Sequence, residues 1–229
     1  MLLNDNTDNY IFDLYGTLID VHTDENAPQT WKKWYKSLKA RGLTVPEYYV
    51  FRRDFFELDG KYRKEAMKKG QFSVPEIDII PVYRELFIKY GNTALTECEL
   101  YDIAYEFRVA SRHYIRLFPG VKESLRQIEQ AGKHAYILSN AQRAYTMPEI
   151  QLFGLENMVT DILISSDWGC MKPDRAFFDI LIDRYNMDRK RTVMHGDSMS
   201  SDIEGAVGAG IGYVHLKGAN DPNVFYCIK

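Results

Sequence analysis

Three things are scarce in this chain. Cysteine is the first: 229 residues hold only Cys98, Cys170 and Cys227, far apart and with no Cys-x-x-Cys pair. This excludes a disulfide framework and a zinc site built on cysteine pairs, and it fits a reducing compartment. Long apolar runs are the second. None approaches the roughly 18 residues that a membrane-spanning helix needs. The opening Met1–Asn9 is polar and acidic, unlike a secretory signal. Charge of one sign is the third. A total of 29 basic and 32 acidic residues leaves a net charge of -3, which makes no electrostatic case for nucleic acid or an anionic membrane surface. Even Lys61-Tyr62-Arg63-Lys64 reads as one solvated helix face. Repeats and low-complexity tracts are also missing. The expectation is a soluble cytoplasmic protein without nucleic acid or membrane partners; its oligomeric state is left open.

With 45% hydrophobic and 14% aromatic residues, the chain can bury a sizeable core in one or two domains. Tyr10-Ile11-Phe12 reads as a buried strand of a parallel sheet. It breaks on Asp13, and Gly16 permits a sharp turn. An acid at the carboxyl end of such a strand lies where open α/β sheets place their ligands. It can serve as nucleophile, as metal ligand or as both, or it can simply cap the turn.

From about residue 20 to 114 the pattern is helical, with no convincing strand. A helix starts near Pro28, with Trp31, Trp34, Tyr35 and Leu38 on one face. Others are expected over Pro46–Leu58, Lys61–Lys69 and from Pro75 to Gly91. Thr96-Glu97-Cys98-Glu99 is a capping box that starts a helix running to about Tyr114. After Phe118-Pro119-Gly120 the chain alternates helices with short apolar runs, as in repeated βα units. Strands are expected at Ala135–Leu138, Ile162–Ile164, Arg191–His195 and Tyr213–Leu216. Helices are expected over Val121–Ala131, Arg143–Phe153, Pro173–Tyr185 and Ser200–Gly208. The fold class is therefore α/β, a doubly wound, Rossmann-like parallel sheet formed by residues 1–19 and 115–229. An all-helical domain, residues 20–114, is inserted after the first strand. Right-handed crossovers bring all strand ends to one edge, over which the insertion can sit.

Polar groups then gather at four strand ends. Each alone has an ordinary structural use. Asp197 and Asp202 suit a helix N-terminus, Ser139 suits a helix cap, and Lys172 suits a solvated surface. Together and in order they resemble the motifs of the haloacid dehalogenase-like hydrolase superfamily, helical-cap subgroup. Asp13-Leu14-Tyr15-Gly16-Thr17 resembles the first, Ser139-Asn140 the second and Lys172-Pro173 the third. Gly196-Asp197 followed by Asp202 resembles the fourth. The resemblance covers the whole chain. It implies a hydrolase that works through an aspartyl intermediate on Asp13. Asp13, Asp197 and the backbone carbonyl of Tyr15 would hold Mg²⁺, an ion that suits hard oxygen ligands. Ser139 and Lys172 would hold phosphoryl oxygens, and Asp202 would orient Lys172 or a water on the metal. Tyr15, Thr17 and Asn140 are expected to position a small-molecule substrate, whose identity the sequence leaves open.

Tyr15 departs from the phosphatase members, which carry a second Asp there to protonate the leaving oxygen and activate water. A phenol with an ordinary pKa near 10 is a poor base at neutral pH, and losing such a group typically costs about 10²–10⁴-fold. Asp-x-Tyr-Gly-Thr instead resembles the 2-haloacid dehalogenase branch, in which the Asp displaces halide from carbon without metal. Two features oppose that branch. The early insertion lacks an Arg-Gln-Leu-Glu-Tyr-like stretch, although Arg41 follows, and Asp197 keeps the metal-type acid. The leading expectation is a Mg²⁺-dependent phosphohydrolase. Its alternatives are a dehalogenase-type hydrolase and a catalytically weak binding or regulatory protein. Trp31, Trp34, Tyr48, Tyr49 and Phe55 fit the core of the insertion better than a substrate slot. His195 can tune the site or be buried as structure; His113 and His134 carry no role.

Overall fold

The computed structural model describes residues 6–216, so Cys227 lies outside the described residues. The opening run forms β1 (Asn9–Phe12), buried at every position. A turn follows in which Gly16 takes φ +86°, a conformation that costs glycine nothing. β2 (Ile19–Thr23) leads into four helices: α1 (Pro28–Ala40), α2 (Tyr48–Lys69), α3 (Ile79–Lys89) and α4 (Glu97–Ser111). The chain returns along β3 (Arg112–Leu117), which pairs antiparallel with β2. The helical stretch therefore leaves and re-enters on one two-stranded ribbon.

This ribbon corrects the expectation of an all-helical segment over 20–114. Thr96 and Glu99 form the expected capping box, but α4 ends at Ser111, where Arg112 turns to φ -82° and ψ 127°. The residues Arg112-His113-Tyr114 carry no glycine or proline to mark that stop. Pairing with β2, about ninety residues earlier in the chain, decides it. Local propensity yields to such long-range ladders. Two further boundaries move. The segments read as Pro46–Leu58 and Lys61–Lys69 are one continuous α2. α3 starts at Ile79, with the Asp78 carboxylate accepting from Ile80 N at 3.0 Å, so Pro75 lies outside it.

After the ribbon come α5 (Val121–Gln130), β4 (His134–Ser139), α6 (Arg143–Phe153) and β5 (Asp161–Ile164). Next are α7 (Ser165–Trp168), α8 (Arg175–Arg184) and β6 (Thr192–Gly196). A π-type turn over Met199–Ile203 enters α9 (Glu204–Ala209), and β7 (Gly212–His215) follows. The five strands form one sheet in the order β5-β4-β1-β6-β7, and every neighbouring pair is parallel. Alternation along β1 sends Tyr10 and Phe12 to one apolar layer and Ile11 to the other, as the pleat requires. A third apolar cluster lies within α1–α4 and includes Trp31, Trp34, Phe51, Phe55 and Phe107. Trp31, Trp34 and Phe55 are thus core residues, whereas Tyr49 is 61% exposed.

The close fit of α9 on α8 depends on Gly205. A Cβ at that position would lie 2.4 Å from Phe178 Cε2 and 3.2 Å from Pro173 Cα. Phe178 is fully buried and has nowhere to swing. Gly205→Ala should therefore cost about 1–2 kcal/mol net, overpacking outweighing the ~1 kcal/mol that Ala gains in a helix. A fall in the urea midpoint at unchanged slope is the expected reading.

Candidate active site

β1 and β6 are neighbours, and Asp13 continues their ladder by donating its N–H to His195 O at 2.9 Å. Its carboxylate thus emerges at the carboxyl edge of the sheet, beside the turn that follows β6. Lys172 arrives from the loop before α8. Its ammonium donates to Asp13 Oδ1 at 2.6 Å and pairs with Asp202 Oδ1 at 2.7 Å. Lys172 is 2% exposed and Asp202 1%. A charge buried that deeply is tolerable only with partners of opposite sign. Burial opposes the lysine's charge, yet Asp13 and Asp202 together outweigh it and hold its pKa above the ordinary value.

Acids remain in excess. Asp13, Asp197 and Asp202 each offer an oxygen, and all three lie within 4.8 Å of one another. With Lys172 the cluster carries two uncompensated negative charges. Burial, followed by the neighbouring Asp202, pushes the Asp13 pKa up to about 6 against the pull of Lys172. Burial and Asp202 raise Asp197 as well. Two glycines make this crowding possible. A Cβ at Gly16 would lie 2.3 Å from Asp197 Oδ2, and one at Gly196 would lie 2.3 Å from Asp202 Oδ2. Asp202 Oδ2 also accepts from Ser198 N at 3.0 Å.

The remaining expected residues divide. Asn140 grips the backbone of Lys172 on both sides, accepting from its N–H at 2.8 Å and donating to its carbonyl at 2.9 Å. Its amide is thereby taken up in orienting the lysine loop. Ser139 Oγ and Thr17 Oγ1 are buried and have no hydrogen-bond partner among the described residues. Leaving a hydroxyl in that state costs about 1–3 kcal/mol, a cost that a ligand oxygen beside them would remove. The side chain of Tyr15 is committed elsewhere. Its hydroxyl donates to Glu149 Oε2 at 2.5 Å, with Thr146 Oγ1 3.2 Å away. Burial, then the Glu149 charge, keeps its pKa well above the usual value.

Other candidates fall outside the site. Arg41 forms an exposed pair with Glu106, bonding through Nε at 2.8 Å. His195 is stacked between Tyr10 and Phe12, and burial lowers its pKa to about 4. It is a neutral structural ring at physiological pH. His113 stacks on His22 with ring centroids 4.8 Å apart. The site's neighbourhood also includes residues that sequence reading missed: buried Arg108 and Glu149 and half-buried Arg112. Nothing local distinguishes them from solvated helix charges; only the packing of α4 and β3 on α6 buries them.

The raised Asp13 pKa has a stability consequence in metal-free protein. An unfolded Asp releases its proton near 3.9, whereas Asp13 in the folded chain retains it to about 6. Between those values the folded state binds more protons, so stability falls as pH rises through that window. Urea denaturation in EDTA at pH 4.5 and 6.5 should show this fall, and Asp13→Asn should flatten it.

Among the described residues, no helix is long and apolar enough to cross a membrane. Comparison with known proteins agrees with the topology. The chain is 26% identical over 205 residues to a phosphoglycolate phosphatase of Agrobacterium fabrum, covering 88% of this chain and 76% of that protein. It is 26% identical over 206 residues to a glyceraldehyde 3-phosphate phosphatase of Pyrococcus abyssi, covering 90% and 79%. Among solved structures, a 2-haloacid dehalogenase from Pseudomonas syringae pv. Tomato superposes with a TM-score of 0.60. The identity there is 23%, covering 92% of this chain and 86% of that one. At that identity the likeness speaks for the fold alone. A model of the family matches residues 7–210, nearly the whole described chain, and with the ordered strand-end residues it establishes that this protein belongs to the haloacid dehalogenase-like hydrolases.

Proposed function

We propose that the chain is a Mg²⁺-dependent phosphohydrolase that acts on a small phosphorylated molecule through an aspartyl-phosphate on Asp13. The observation that carries this reading is the acid cluster around Lys172. Its two excess negative charges would be cancelled by one divalent cation. The donors are hard carboxylate oxygens, which suit Mg²⁺. Asp13, Asp197 and the backbone carbonyl of Tyr15 would hold the ion, with Asp202 alongside. When bound, the ion neutralises the charge that otherwise keeps an anionic nucleophile from an anionic ester.

The protein's own groups account for the rest. A carboxylate oxygen of Asp13 attacks phosphorus, and the bond from phosphorus to the leaving oxygen breaks. Water then attacks the phosphorus of the aspartyl-phosphate, releasing inorganic phosphate and restoring the carboxylate. Lys172 and Ser139 hold the phosphoryl oxygens, and Thr17 supplies a second free hydroxyl. Asn140 and Asp202 keep Lys172 in place. The Tyr15 hydroxyl is bound to Glu149, so the leaving group departs without a proton from that position. Residues 20–114, with their ribbon, act as a cap over the strand-end edge, and residues 1–19 and 115–229 form the core. The phosphatase relatives support this reading through their names. Two free cysteines, Cys98 and Cys170, accord with a cytoplasmic site of action.

Dehalogenase chemistry is the second reading, and Tyr15 in the first motif favours it. Against it stand Arg41, which is tied to Glu106 at the surface, and Asp197. The carboxylate of Asp197 would repel both an attacking carboxylate and a carboxylate substrate if no cation balanced it.

Purified protein should hydrolyse p-nitrophenyl phosphate with Mg²⁺ and lose this activity in EDTA or as Asp13→Asn. Without a proton donor for the leaving group, simple alkyl phosphates should turn over about 10²–10⁴-fold more slowly. Inactivity under every condition, together with metal-independent halide release from a 2-haloacid, would overturn the phosphohydrolase reading in favour of the second.

A further inference from the structure

Glu149 is the hub of a buried network that the chemistry above does not use. It lies on α6 and is 0% exposed. Its Oε2 accepts from the Tyr15 hydroxyl at 2.5 Å and from Arg108 Nη2 at 3.3 Å. Its Oε1 accepts from Arg108 Nε at 3.0 Å and Arg112 Nη1 at 3.2 Å. The third nitrogen of Arg108, Nη1, reaches Glu25 Oε1 at 2.9 Å and Thr23 Oγ1 at 3.3 Å. The Arg108 guanidinium also lies over the Tyr15 ring, 5.2 Å from its centroid.

The placement of these residues gives the network its meaning. Tyr15 belongs to the turn that follows Asp13. Thr23 and Glu25 stand where the chain leaves β2 for the inserted helices. Arg108 and Arg112 stand where it returns through β3. One carboxylate on the sheet side therefore touches the nucleophile turn and the returning crossing of the ribbon, and Arg108 links it on to the outgoing crossing. Moving the inserted helices about that ribbon would pull Arg108 and Arg112 off Glu149 and leave buried charges without partners, which is strongly unfavourable. Releasing Glu149 would also free the Tyr15 side chain and the turn that carries it.

We infer that Glu149 is a positioning residue: through Tyr15 it fixes the turn beside Asp13, and through Arg108 and Arg112 it fixes the inserted helices, so one contact sets both. Tyr15 is then a strut between the nucleophile turn and the helical insertion, and not a proton donor to the leaving group. The inference rests on the phosphohydrolase reading for its kinetic consequences but not for its structural ones.

The test uses Tyr15→Phe and Glu149→Gln in the full chain with Mg²⁺. Tyr15→Phe removes one hydrogen bond and leaves the arginine pairs, so kcat/KM should fall by about tenfold or less. Glu149→Gln takes the counter-charge from half-buried Arg112 and leaves buried Arg108 with Glu25 alone, and kcat/KM should fall by about a hundredfold. In both variants the ratio of p-nitrophenyl phosphate to alkyl phosphate turnover should stay at the parental value. Adding Arg108→Gln to Glu149→Gln should recover part of the loss, because it removes a buried charge left with one partly exposed partner. Hydrogen exchange gives a readout independent of activity. In Glu149→Gln, amides of residues 15–19 and of the ribbon crossings should accelerate together; in Tyr15→Phe only the turn should.

A selective loss of alkyl phosphate turnover in Tyr15→Phe would make Tyr15 the proton donor and overturn the inference. Acceleration of the ribbon alone in Glu149→Gln would also overturn it, since turn and insertion would then be uncoupled. If Glu149→Gln does not fold, Tyr15→Phe still decides through the turnover ratio and exchange in the turn. If the parent protein hydrolyses no phosphate ester, the phosphohydrolase reading falls while the exchange comparison still judges the network.

Discussion

The ammonium of Lys172, buried between Asp13 and Asp202, is the contact on which the site depends. A charge this deep is stable only while both carboxylates remain in place, and each comes from a different part of the sheet edge. Asp13 ends β1, Asp202 sits in the π-type turn after β6, and Lys172 precedes α8. Only a parallel arrangement brings these carboxyl ends together. Asn140, at the end of the third strand involved, then fixes the lysine loop through two backbone hydrogen bonds. The ion pairs thus depend on the topology, and the lysine reaches them only through a hydrogen-bonded loop.

The cluster is also unbalanced. Three acids face one lysine, and the Asp202 charge adds to burial, the larger cause, in raising the pKa values of Asp13 and Asp197. Crowding like this would not persist beside ordinary side chains. Gly16 and Gly196 stand where a Cβ would overlap a carboxylate. The buried hydroxyls of Ser139 and Thr17, without partners among the described residues, add unused donors at the ends of β4 and of the turn after β1. A site rich in negative charge, with one cation and two free hydroxyls, is suited to bringing a divalent ion and an anionic oxygen together.

Tyr15 shows how one substitution changes what a neighbourhood can do. An aspartate two residues after the nucleophile is too short to reach Glu149 as the Tyr15 hydroxyl does and, when ionised, has no proton to donate to it. The phenol instead donates to Glu149, and Arg108 covers its ring. Proton transfer at this position is exchanged for a mechanical link to the inserted helices. At the centre of the link the buried charges of Arg108 and Glu149 are paired with each other, which is the condition under which such groups are tolerated in a protein interior.

Sequence alone determined the features that depend on local pattern. The apolar run before Asp13, the helix-to-strand alternation after Phe118 and the capping box at Thr96 all follow from short-range preferences, and each lies close to where it was expected. The order of Asp13, Ser139, Lys172 and Asp197 pointed to the family, because four such motifs in order, each at a strand end or helix start, are far more specific than any one of them. Only the tertiary structure decided three things. The ribbon of β2 and β3 formed because each strand found the other across about ninety residues, and neither carries a strong local signal. Asn140 and Tyr15 took partners of their own, Lys172 and Glu149, instead of facing outward to a substrate. Arg108, Arg112 and Glu149 became a buried network because α4, β3 and α6 pack their charged faces together. In sequence these three look like solvated helix residues, since burial is a property of packing and not of the residue.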